Sequence, residues 1–158
     1  MATPVPEGYH AVTPSFTLKD SQKAIEFYKR AFSAKVLDVF PNLSGTGIMH
    51  ATIQIGDSIM MMGDETPGQN CKSAETLGSS PISLYVYVSD ADAVFKQAVA
   101  AGGTVVMPVA DMFWGDRAGQ LKDPFGHSWM IATHTRDLTN EQIRKGAEAF
   151  FSQMAKGK

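Results

Sequence analysis

The sequence predicts an α+β fold built from two β-α-β-β-β modules, with one further helix at the C-terminal end. Two observations predict it. First, the same pattern recurs seventy positions apart: Asp20 answers to Asp90, Ala31 and Val36 to Ala101 and Val106, and Gly56-Asp57-Ser58-Ile59-Met60 to Gly126-His127-Ser128-Trp129-Met130. A period this long exceeds that of solenoid repeats and points to a duplicated supersecondary unit. Second, residues 63–81 separate the copies and are rich in Gly, Ser, Thr, Pro and Glu with no apolar period.

Val12 to Leu18 alternates, with Thr13, Ser15 and Thr17 on one face and Val12, Phe16 and Leu18 on the other, as in a half-buried strand. Pro14 suits an edge position or a bulge. Asp20 caps a helix from about Ser21 to Ser33, buried through Ile25, Tyr28 and Phe32. Val36 to Phe40 is a second strand and Ile48 to Ile55 a third. A Gly56-Asp57 turn then leads into a fourth, Ser58 to Met62. The pattern then repeats: strand Ile82 to Val88, an Asp90-capped helix to about Ala101 ended by Gly102-Gly103, strand Thr104 to Val109, and a hairpin of Ala118 to Lys122 with His127 to Thr133. The modules span about 9–63 and 81–134, the linker 64–80 and a C-terminal helix about 139–155, all within one domain. Thr139 and Gln142 have capping-box spacing ahead of an apolar stripe of Ile143, Ala147, Phe150, Phe151 and Met154.

A chain of 158 residues buries roughly 70% of its unfolded surface, enough for stability without staples. The net charge of −2, with no basic run, argues against a nucleic-acid partner. No apolar stretch approaches the roughly 18 residues a membrane span needs, and the first residues lack the basic and apolar regions of a signal peptide. Cys71 is the only cysteine, so no internal disulfide forms and a cytoplasmic location is expected. Asn42-Leu43-Ser44 matches a glycosylation acceptor, read here as accidental.

The paired modules, the Asp-capped helices and the segments Asp123-Pro124-Phe125-Gly126-His127-Ser128-Trp129 and Trp114-Gly115-Asp116-Arg117 resemble the vicinal oxygen chelate superfamily. That superfamily comprises glyoxalase I, bleomycin-resistance proteins and extradiol dioxygenases. Tyr9-His10-Ala11-Val12-Thr13-Pro14 and the stretch Ile48 to Asp57 resemble its PhnB-like branch. The resemblance covers about Tyr9 to His134. It implies sheets curled into an open cup, with two cups across a homodimer as the commoner arrangement. It also implies metal-ligand positions on the first and fourth strands of each module, which fall at Thr13, Met60, Ser83 and Met130. Hydroxyls and thioethers are poor ligands for Zn, Ni, Mn or Fe. The expectation is therefore no metal, no cofactor and a small-molecule ligand.

Strand alternation carried from those positions places Thr13, Ser15, Thr17, Met60, Met62, Ser83, Tyr85, Tyr87, Ser128, Met130 and Ala132 inside the cup. On the third strand of each module, His50, Thr52 and Gln54, and then Gln120 and Lys122, join them. The apolar series Met49, Ala51, Ile53 and Ile55 faces the helices. The lining is methionine and tyrosine with a few polar groups, a common make-up for ligand sites.

Each candidate has two readings. His50 is a general base or an ordinary hydrogen-bonded cleft residue. Arg117 clamps an anion or braces a loop through Asp116 or Asp111. Phe113 and Trp114 stack on a planar ligand, close the cup or meet a partner subunit. The methionines form an adaptable wall or fill the core. Tyr85 and Tyr87 orient a ligand or are structural. His10, His127 and His134 are expected to be solvated, and Cys71 to be inert. The leading expectation is a binding protein for an apolar or planar small molecule. The alternative is a glyoxalase-like enzyme, lyase or dioxygenase in type, that uses unconventional groups such as His50 or an off-pattern metal.

Overall fold

The structure is a computed structural model that describes residues 2–156. The first module contains β1 (Ser15–Leu18), α1 (Ser21–Phe32), β2 (Lys35–Pro41), β3 (Ile48–Ile55) and β4 (Ser58–Asp64). A short helix, α2 (Ala74–Leu77), follows in the linker, where the composition suggests none; Ser73 caps it by accepting from the Thr76 amide. The second module contains β5 (Ser83–Tyr87), α3 (Ala91–Ala101), β6 (Thr104–Asp111), β7 (Asp116–Lys122) and β8 (Ser128–His134). The chain ends with α4 (Asn140–Lys156).

Each module forms its own mixed four-stranded sheet, in the orders β1-β4-β3-β2 and β5-β8-β7-β6, the first pair parallel and the others antiparallel. The caps form as the sequence predicts. Asp20 accepts from the Lys23 amide and Asp90 from the Ala93 amide, both at 3.0 Å, each satisfying an otherwise orphaned helix donor. Thr139 and Gln142 exchange reciprocal side-chain to amide bonds of 2.8 and 3.3 Å at the start of α4.

One core joins the modules. Phe27, Tyr28 and Phe32 of α1 pack against Phe125 and Trp129 of the second module, with Phe32 and Trp129 ring centroids 4.5 Å apart. Its polar anchor is Asp123, which accepts from Tyr28 Oη at 2.8 Å, Trp129 Nε1 at 2.9 Å and the Phe125 and His127 amides at 2.9 Å each. The Asp-Pro-Phe-Gly motif is thus both a turn and an inter-module tie, since the same carboxylate that bonds its own turn amides also receives the α1 tyrosine. Burial, and then the Asp123 charge, push the Tyr28 phenol well above its ordinary value, so it stays a donor. His127 is not solvated as expected: it is buried, stacked on Phe16 at 4.6 Å, because the turn folds it back over β1.

Strand register shows where the seventy-residue repeat slips. Ser15 and Tyr85, seventy apart, lie opposite Met61 and Met130, only 69 apart. The third strands are two residues out, with Thr52 and Gln120, 68 apart, opposite those methionines, and a longer second hairpin then restores one residue and changes the parity. The first hairpin closes through Gly56 (φ +58°) and Asp57, with Ile55 opposite Ser58. In the second, five residues separate the paired Lys122 and Ser128, whereas four separate the paired Gln54 and Ile59. A one-residue slip moves every side chain of a strand to the opposite face. Met60 and Met62, expected inside the cup, accordingly sit opposite Ile53 and Ala51 on the helix side, 4% and 1% exposed within the core. The cup-side methionine of β4 is Met61, opposite Ser15 and Thr52.

Candidate functional site

Residues directly opposite one another on paired strands share a sheet face. On β7, Ala118, Gln120 and Lys122 lie opposite Ala132, Met130 and Ser128 of β8, and β5 adds Ser83, Tyr85 and Tyr87 to that face. This is the concave face of the second module. Its floor is a separate apolar cluster: Met112, Ala118 and Ala132 are buried, with Met107, Trp114 and Met130 packed on them.

At one end of the floor stands Asp116, 2% exposed. Its Oδ2 accepts from Tyr85 Oη at 3.2 Å, Tyr87 Oη at 3.1 Å and Trp114 Nε1 at 3.0 Å. His134 Nδ1 lies 2.8 Å from Oδ1, and His134 Nε2 lies 3.0 Å from Asp137 Oδ1. Gly115, at φ +102°, makes the tight turn that lets Trp114 and Asp116 meet; its amide donates to the Met112 carbonyl at 3.1 Å. Burial, the largest single influence on Asp116, pushes its carboxyl up. The bonds from His134, Tyr87, Trp114 and Tyr85 outweigh it and hold the group below its ordinary value. Burial also pushes the Tyr85 phenol up to about 12. The bonds to Asp116 and then Asp137 raise His134 above its ordinary value. A carboxylate stands against each ring nitrogen, an arrangement that favours the protonated ring. Asp116 accepts four hydrogen bonds, three of them on Oδ2 and one on Oδ1, and three of the four come from aromatic side chains that it organises.

The concave face of the first module is different. Thr52 is fully buried, His50 Nε2 lies 3.1 Å from Thr52 Oγ1, and Asp38 Oδ1 lies 3.8 Å from the same nitrogen. Asp38 Oδ1 is itself buried without a hydrogen-bond partner. Phe40 lies opposite His50, with ring centroids 6.2 Å apart. Gln54 lies on this face too, opposite Lys35.

Several expected site residues are elsewhere. Arg117 points from the other side of β7, where the odd-numbered residues lie, and forks onto Asp92 at 2.5 and 2.7 Å with Asp111 at 3.2 Å. It ties the sheet edge to the first turn of α3, and Asp116 is not its partner. Phe113 lies under α4, against Phe150 and Phe151 at 5.6 and 6.3 Å and beside Gly146. Thr13 precedes β1 and bonds the His10 carbonyl at 3.2 Å. Thr13, Gln54, Met60, Tyr85 and Tyr87 border a cavity of about 950 Å³ at the seam between the modules, which meets the Asp116 cluster only through the two tyrosines. Met49, expected toward the helices, is the second residue of β3 and is 60% exposed.

Sequence reasoning passed over Asp116, His134 and Met107. The signal for the first two was present. Extending the alternation from Gln120 two steps back reaches Asp116, and from Met130 two steps forward reaches His134.

The glyoxalase/bleomycin resistance protein/dioxygenase superfamily model matches residues 10–131. The chain belongs to this superfamily. It is 35% identical over 137 residues to the uncharacterized protein Mb0911c of Mycobacterium bovis, covering 85% of this chain and 90% of that one. Among solved structures it is similar to TioX from Micromonospora sp. ML1, at 26% identity and TM-score 0.62, over 82% of this chain and all of that one. A PhnB protein from Bacillus cereus shares the fold at 22% identity and TM-score 0.62, over 78% and 99% of the two chains. The metal positions that the family resemblance implies, corrected for the slip in β4, fall at Thr13, Met61, Ser83 and Met130. Two hydroxyls and two thioethers do not fit a divalent metal. No group of three His, Cys, Asp or Glu side chains among the described residues is arranged to hold one, and no helix among them is long and apolar enough to cross a membrane.

Proposed function

We propose that this chain is a small-molecule binding protein of the superfamily, with its site on the concave face of the second module. The observation that carries the reading is the Asp116 network. A buried carboxylate fixes Tyr85, Tyr87 and Trp114 beside a floor of Met107, Met112, Ala118, Met130 and Ala132. Rigid aromatics with adaptable thioethers suit an apolar or planar ligand. Ser83, Ser128 and Gln120 supply polar contacts at the other end, where Gln120 Nε2 donates to Ser128 Oγ at 2.7 Å. Tyr85 and Tyr87 are 45% and 62% exposed, so the face is open in one chain. A second copy closing it, with the half-exposed Phe150 and Phe151 of α4 contributing, accords with the homodimer the family resemblance implies. A cytoplasmic location completes the reading.

A thermal-shift screen without added metal tests it. Apolar or planar compounds are expected to raise the melting temperature, and Trp114→Leu to abolish the gain. A library that leaves the melting temperature unmoved refutes it.

A second reading rests on the first module, where His50 Nε2 lies 3.1 Å from Thr52 Oγ1 and 3.8 Å from Asp38 Oδ1, an imidazole beside a hydroxyl and a carboxylate in the concave face. On that reading, a turnover assay loses activity in His50→Ala while the fold survives. Turnover equal to wild type excludes His50.

A further inference from the structure

The polar hydrogens of the aromatic side chains and of His134 at the Asp116 end of the concave face are committed. The hydroxyls of Tyr85 and Tyr87 and the indole N–H of Trp114 go to Asp116, and the two ring nitrogens of His134 go to Asp116 and Asp137. Nearby, the Thr135 hydroxyl donates to the Gly115 carbonyl at 2.8 Å and Arg136 Nη2 reaches the Met112 carbonyl at 3.5 Å. Arg117 lies on the opposite face, held by Asp92 and Asp111. Lys122 shares the concave face but stands six residues along β7, roughly 20 Å away at about 3.3 Å per residue.

What the rings and the methionine floor present to a ligand is of one kind. Phenol lone pairs, aromatic ring faces and methionine sulfurs are all electron-rich. The Tyr85 and Tyr87 rings are neighbours, with centroids 5.1 Å apart and planes inclined 34°. Donation to a carboxylate makes each ring richer still. The rings stand around the Asp116 carboxylate, which already takes their hydroxyl and indole hydrogens, so an anion would find no donor on them. A cation without hydrogens to donate would find both ring faces beside that carboxylate.

We infer that the Tyr85, Tyr87 and Trp114 rings around Asp116 form a recognition site for an organic ammonium ion, an alkylated or quaternary amine whose apolar remainder lies on the methionine floor. The inference rests on the binding reading above and names the ligand class for that same site.

Isothermal calorimetry on the full chain with three matched probes tests it. Choline carries the cation, 3,3-dimethylbutan-1-ol is its neutral carbon isostere, and 3,3-dimethylbutanoate places an anion on the same apolar group. Choline is expected to bind at least tenfold more tightly than either. Trp114→Leu is expected to lose at least tenfold in choline affinity, and Tyr87→Leu to lose more than Tyr87→Phe, which keeps the ring. Equal or tighter binding of the neutral alcohol or the anion overturns the ammonium site while leaving the binding reading intact. No binding of any probe also overturns it, and the separate screen of planar compounds then decides whether the binding reading survives. The probe comparison is made on the unaltered protein, so it stands even if a variant fails to fold.

Discussion

The two modules share an order of elements and a core, yet their concave faces have diverged. In the second, four donors converge on Asp116. In the first, Asp38 keeps a buried oxygen without a partner and His50 holds one neighbour at 3.1 Å. The helix-facing sides did not diverge in this way, because both are packed into one core through α1 and α3. Duplication conserves what two sheets must bury together and releases the faces they do not. One face has become a rigid aromatic platform, and the other keeps a loosely held polar group.

The sharpest way to break this comparison is the register slip in β4. If Met60 faces the core and Met61 the concave side, lysine at the two positions behaves oppositely. Met60→Lys puts an unpaired charge against Ile53 and is expected to cost about 3–5 kcal/mol in urea unfolding. Met61→Lys lets the ammonium reach water from a half-buried position and costs about 1 kcal/mol or less. Equal losses would mean that the slip is wrong and that the seventy-residue repeat holds through the fourth strand.

The next test sets the two carboxylates against each other. Asp116→Ala orphans the donors gathered on it. Tyr85, Tyr87 and His134 are exposed enough to turn toward water, so the expected cost is the lower part of the range for lost charged hydrogen bonds, about 2 kcal/mol. Asp38→Ala removes a group whose buried oxygen has no partner and is expected to change stability by about 0.5 kcal/mol or less. A larger loss from Asp38 would make the first face the organised one.

The β-α-β-β-β order, both Asp caps and the capping box of α4 were legible because each depends on neighbours within a few residues. Periodicity placed Ile25, Tyr28 and Phe32 in the core for the same reason. The face of β4 was not legible from the repeat. It depends on how many residues a hairpin consumes, and Gly56 and Gly126 look alike in sequence while their loops differ by one residue. Arg117 was misplaced for a related reason. Its strand begins at Asp116, two residues earlier than the apolar pattern suggests, and parity counted from Gln120 sends Arg117 to the other side. The role of Asp116 needed three elements at once, since its donors come from β5, the turn before β7 and the end of β8.

The smallest expected effect concerns His134. Its folded pKa is raised, first by the bond to Asp116 and then by that to Asp137. A raised pKa means that the folded state holds the proton more tightly than the unfolded chain, so protonation favours folding. The contribution is fully present below the unfolded histidine value of about 6.5 and is lost as the pH rises through the folded value. His134→Gln keeps a donor toward Asp116 but cannot take up a proton. Wild type is therefore expected to exceed this variant in urea midpoint at pH 5.5 and to converge with it at pH 9. The ring is half-exposed, so solvent screening keeps the difference small, and added salt reduces it further. If the difference does not widen at low pH, the carboxylates do not hold the His134 proton in the folded state, and the contrast between the modules lies in the aromatic rings alone.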